Sequence, residues 1–210
     1  MSFVKLKNKF FIENYVYKKT VVAYGRISPY NGLPYASYDD ITLDDATTAQ
    51  VLGVIPVDYQ SKFWVRLLQV NNYLGPHIDH GNKATINFYL KADNCKTQFY
   101  KFKVEEENPA KILYPIWVAD EDISELVATS ADKGSYSGGD VDSSLLSKTE
   151  SFVTTDNEAY CLDVSKPHSV IPLNYSLTKP SAVRRIVVTL ATTLPYNLVC
   201  NLLRQTNSID

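Results

Sequence analysis

The chain has 210 residues, 45% of them hydrophobic and 21% charged, which fits one well-buried domain and is too short for two ordinary ones without a clear linker. Its formal net charge of −2 offers phosphate backbones no general attraction, so nucleic acid is disfavoured as a partner. No stretch approaches the roughly 20 apolar residues of a membrane span, and Lys5, Lys7 and Lys9 interrupt the apolar residues of the first turn of sequence as they would not in a signal peptide.

The 15 tyrosines, together with many Val, Ile and Thr, tilt the expectation toward β structure. Residues 14–24 alternate apolar and polar in the manner of an edge strand, and 28–34 form a loop by their turn residues. Residues 42–53 read as a short helix, with Thr42 as its cap, acids in its first turn and Gly53 at its end, or else as a polar loop. Residues 63–70 are apolar and branched enough for a buried strand. Residues 83–91 and 97–102 follow as two strands joined by a turn containing Asp93 and Asn94, which predicts a hairpin. Between about 104 and 154 acids cluster and Ser-Gly runs appear, the composition of an insertion or lid. Residues 159–164 and 184–191 restore strand character, and the tail around 198–203 closes the chain with a short element. Cys95, Cys161 and Cys200 are widely spaced and contain no CxxC pair, which predicts reduced thiols and a cytoplasmic setting.

The chain has three histidines, and all fall in two short phrases: Gly75-Pro76-His77-Ile78-Asp79-His80-Gly81 and Lys166-Pro167-His168-Ser169. On an extended backbone His77 and Asp79 point to one face while Ile78 and His80 point to the other. With His168 from a distant strand, two imidazoles and one carboxylate would hold a metal on one side and leave its other side open, the arrangement of non-haem Fe(II) oxygenases. His80 is then an outward residue that supports the ligands from behind, a substrate contact or an exposed side chain. Where such chemistry uses 2-oxoglutarate, a cation must hold the remote carboxylate, and an arginine fork suits it. Arg184 and Arg185 open the last strong strand, and only one of the two can face the site.

In these features the chain resembles the Fe(II)- and 2-oxoglutarate-dependent dioxygenases, particularly the prolyl-hydroxylase-like and aspartyl/asparaginyl-hydroxylase-like branches. The resemblance runs over about 63–191, apart from the acidic stretch, and keeps the family's order: His77-Ile78-Asp79, the strand ending Phe88-Tyr89-Leu90, Pro167-His168-Ser169-Val170, and Arg185 leading Ile186-Val187-Val188-Thr189. It implies a single domain over 1–210 with a double-stranded β-helix, a cupin-like jelly roll with a few peripheral helices. It implies that His77, Asp79 and His168 bind Fe(II), that Arg185 pairs with the 2-oxoglutarate C5 carboxylate and that Tyr89 joins that arginine. Thr189 lines the same pocket or is an ordinary strand residue. The implied activity is hydroxylation of a peptidyl or small-molecule substrate with O2, releasing succinate and CO2. A tyrosine that many relatives carry on the strand before the His-x-Asp triplet has no counterpart, since Leu67 or Gln69 falls near that place. Two rivals stay open: a zinc hydrolase or isomerase of cupin type, which needs no buried arginine, and a non-catalytic jelly-roll binding or structural protein.

Overall fold

The computed structural model describes residues 1–27, 34–79, 81–104, 116–117, 139–173 and 184–210. The loop expected at 28–34, apart from Pro34, which opens a strand, lies outside these residues, as do His80 and much of the acidic stretch. The described strands form two antiparallel sheets, with few helices. The larger sheet runs in the order β1 (Phe3–Lys5), β11 (Ala159–Leu162), β6 (Ala84–Lys91), β13 (Arg185–Thr192), β4 (Trp64–Val70), β3 (Pro34–Leu43), β2 (Tyr15–Ile27), β8 (Ile116–Trp117). The smaller runs β10 (Leu146–Val153), β7 (Cys95–Phe102), β12 (His168–Pro172), β5 (Leu74–Ile78), β9 (Gly139–Asp140).

The two faces of the large sheet bury different residues, as the period of two in a strand requires. On β13, Ile186, Val188 and Leu190 point outward and join Phe88, Ile86 and Leu67 in a core that also takes in Leu6, Phe10, Val51 and Val199. Val187 points the other way and meets Tyr89, Phe99, Phe152, Tyr160 and Leu162 from both sheets. The outer core is closed by α1 (Asp45–Leu52) and α3 (Tyr196–Gln205), with a one-turn helix, α2 (Val57–Gln60), between α1 and β4. Along α3 the buried residues are Tyr196, Val199, Cys200, Leu202 and Leu203, an i, i+3, i+4, i+7 stripe that faces the sheet. Burying each of its large aliphatic side chains stabilises the fold by about 1.5–3 kcal/mol. No helix among the described residues is long and apolar enough to cross a membrane, and the three thiols are free and buried.

Four expectations change. The helix near 42–53 starts later: Thr42 belongs to β3, and the cap is Asp44, whose carboxylate accepts the Thr47 amide at 2.7 Å. Gly53 ends α1 in a right-handed conformation, and its need for glycine is spatial, since a Cβ there would stand 2.6 Å from the Ala49 carbonyl oxygen. The strand over 63–70 is only partly buried: Leu67 and Val70 are covered while Trp64 is exposed. Its inner face looks into the space between the sheets.

The expected hairpin of β6 and β7 does not form. β6 pairs with β11 and β13, whereas β7 pairs with β10 and β12, so the turn carries the chain from one sheet to the other. Asp93 and Asn94 take left-handed φ values of 47° and 51° there, conformations that Asp and Asn tolerate in a hairpin and in a sheet-to-sheet arch alike. The stretch expected to be an insertion contains a core strand as well: β10 pairs with β7 from Leu146–Phe102 to Val153–Lys96.

Candidate metal centre

β5 and β12 are adjacent and antiparallel, and His77 stands directly opposite His168. Residues opposite one another share a face, so the two imidazoles meet with ring centroids 4.3 Å apart. Asp79 follows β5 and is fixed by its amide, which donates to the Val164 carbonyl at 3.2 Å. Ile78 points to the opposite face, where it packs with Tyr100, Val141 and Leu146. The ligand atoms of His77, Asp79 and His168 all lie within 4.8 Å of one another. Asp79 Oδ1 is 3.5 Å from His77 Nε2 and 3.6 Å from His168 Nε2. Cis ligands held about 2.1 Å from an ion stand about 3.0 Å apart, so a closure of about half an ångström would bring these atoms onto a metal.

Both imidazoles are set to present Nε2 as a lone pair. His77 donates its Nδ1–H to the Gly75 carbonyl at 2.7 Å, and His168 donates its own to the Lys166 carbonyl at 3.0 Å. A carbonyl can only accept, so in the neutral ring the proton must sit on Nδ1. Burial, with help from the neighbouring His77, pushes the His168 imidazole down to about 4, which keeps it neutral at physiological pH. Burial works to raise the Asp79 carboxyl, but the two histidines and the Tyr38 hydroxyl beside it outweigh burial and hold the group below its ordinary range. The Nε2 atoms of His77 and His168 and the Asp79 carboxylate together form a donor set of the kind that takes a divalent cation.

Tyr38 is a contact the sequence did not suggest. It lies on β3 opposite Leu68, and its hydroxyl is 3.4 Å from Asp79 Oδ2. Neither Leu67 nor Gln69 faces the interior: Leu67 joins the outer core, and Gln69 donates to Asp39 at 2.6 Å. A phenol therefore reaches the site from β3 rather than from the strand before the triplet. Nothing in the local sequence around Tyr38 marks it as a site residue.

Arg185 is 2% exposed, and its neighbour Arg184 is on the surface, where its amide donates to Asp93. The Arg185 guanidinium lies 4.5 Å from the Tyr89 ring centroid, donates through Nη2 to the Tyr89 hydroxyl, and reaches Thr97 Oγ1 at 3.1 Å. Its Nε and Nη1 are buried and have no partner among the described residues, and no carboxylate pairs with it there. Thr97 and Phe99 point to the same face of β7, and the Phe99 ring lies 5.7 Å from that of His168. Arg185 is thus about one two-residue step, roughly 7 Å, along the strands from the metal cluster.

No protein-family model matches the chain, and no curated protein matches it.

Proposed function

We propose that the chain is an Fe(II)- and 2-oxoglutarate-dependent dioxygenase on a double-stranded β-helix, hydroxylating a peptidyl or small-molecule substrate with release of succinate and CO2. The observation that carries this reading is the buried Arg185 fork. An uncompensated buried cation costs several kcal/mol, and two of its donors await acceptors. A carboxylate supplies the negative charge that this guanidinium lacks and an acceptor for its free donors. A zinc hydrolase using the same three ligands gives this arginine nothing to do.

The residues fit both groups. His77, Asp79 and His168 would hold Fe(II) on one side, and Arg185 would take the remote carboxylate of 2-oxoglutarate, one step deeper. When bound, Fe(II) with 2-oxoglutarate and O2 supplies the oxidising power for hydroxylation of a C–H bond. The chain's own contribution is positional. Gly75 and Lys166 fix the imidazole tautomers, the Tyr38 hydroxyl orients Asp79, and Tyr89 and Thr97 hold the guanidinium in one pose. Leu68 and Val187, opposite one another on the floor between these groups, exclude water from the space they share.

Anaerobic titration of the protein with Mn(II) or Fe(II) and then 2-oxoglutarate, followed by aerobic assay for succinate, tests the reading. Metal-dependent binding of 2-oxoglutarate is expected. Wild-type protein that binds zinc but not 2-oxoglutarate would move the assignment to the hydrolase class, and protein that binds no metal would move it to a binding role.

A further inference from the structure

Three rows of inward-facing residues cross the large sheet in register. The first is Ala36, Val70 and Arg185; the second is Tyr38, Leu68 and Val187 with Tyr89. The third is Arg66, Thr189, Asn87 and Tyr160, with Asp40 joined to Arg66 by an ion pair of 2.7 Å. The second row carries Tyr38, whose hydroxyl meets Asp79. Arg185 therefore lies one step to one side of the metal's row, and Thr189 and Asn87 lie one step to the other.

Asn87 is 5% exposed and Thr189 fully buried, yet Asn87 Oδ1 and Thr189 Oγ1 have no hydrogen-bond partner among the described residues. Each orphaned polar atom at such a depth costs about 1–3 kcal/mol. They stand side by side on paired strands, so one ligand group can reach both. Asn87 Oδ1 requires a donor from the ligand, and the Thr189 hydroxyl can in turn give its proton to the ligand. The charge of Arg66 is already matched by Asp40, so the row asks for a neutral group that both donates and accepts. A carboxylate has no proton for Asn87 Oδ1, and an ammonium has no lone pair for Thr189. An amide has both.

The geometry points to Asn87 and Thr189 as the subsite for an amide group of the primary substrate, on the side of the metal away from Arg185. The inference rests on the dioxygenase reading and narrows its substrate to an amide-bearing compound.

The test uses the full chain with Fe(II) and 2-oxoglutarate, and a panel of N-acetyl amino acid amides set against the corresponding free amino acids. Succinate release and a one-oxygen mass gain are the readouts. At least one amide should raise succinate formation, and the free amino acids should not. In Asn87→Leu and Thr189→Val, the KM for that amide should rise about tenfold, the ratio for one lost hydrogen bond, with a smaller fall in kcat. The Kd for 2-oxoglutarate with Mn(II) should stay within about twofold, the range of an unperturbed site, which also certifies that both variants fold. Stimulation by free amino acids as strong as by amides, silence of the whole amide panel, or an unmoved KM in both variants would overturn the subsite and leave the polar pair to an ordered water. Failure of the wild type to bind 2-oxoglutarate would instead sink the dioxygenase reading and the subsite with it.

Discussion

At the scale of single residues, the site combines groups that favour ligands over stability. Arg185 is the clearest case, because its buried charge has hydroxyl partners but no anion among the described residues. Arg185→Met should abolish 2-oxoglutarate binding while leaving the apo protein as stable as wild type or more so, by up to about 2 kcal/mol; urea denaturation beside a ligand titration reads both effects. Asp79→Asn should lower Mn(II) affinity by at least about tenfold, since it removes the one anionic member of the cluster among the described residues, as isothermal titration would record. His168 adds a pH dependence. Its folded value of about 4 lies below the ordinary 6.5, so between these values the unfolded chain takes up a proton that the native chain refuses. Metal-free stability should therefore fall as pH drops from about 6.5 towards 4 and be indifferent to this group above that window. Denaturation midpoints compared with those of His168→Asn would expose the difference.

At the scale of elements, the short terminal pieces matter more than their length suggests. β1 contributes Lys5, which pairs with Glu158 just before β11; that carboxylate also accepts the Thr155 amide at 3.1 Å and the Tyr160 hydroxyl at 3.2 Å. Burial opposes the charge on Glu158, but the Lys5 hydrogen bond and the Thr155 amide prevail and bring the group down to about 2. Its stabilising share is complete above the ordinary 4.5 and lost as pH falls towards 2. α3 acts through packing. Leu203 is fully buried beneath it, and Leu203→Ala should cost about 2–5 kcal/mol, visible as a lowered urea midpoint, without changing 2-oxoglutarate affinity, because the helix covers the outer face and not the interior.

At the scale of the whole molecule, metal and 2-oxoglutarate together should stabilise the fold by linkage. Each ligand at a hundred times its Kd contributes about 2.7 kcal/mol, so a thermal melt with Mn(II) and 2-oxoglutarate should exceed one with Mn(II) alone, and the increment should vanish in Arg185→Met. The sequence by itself determined the β-rich character and the shared face of His77 and Asp79, because a period of two is a local property of extended backbone. It also located a basic residue at the head of the last strand. Which arginine turns inward was decided by the pairing of β13 with β4, which sets Arg185 opposite the interior residue Val70 and leaves Arg184 outside the strand. The passage of β6 and β7 into different sheets was likewise not local, since Asp93 and Asn94 serve either kind of turn. Tyr38 and Thr97 meet Asp79 and Arg185 only because strands far apart in sequence are brought side by side. Periodicity tells which face a residue occupies; only sheet pairing tells what that face looks upon.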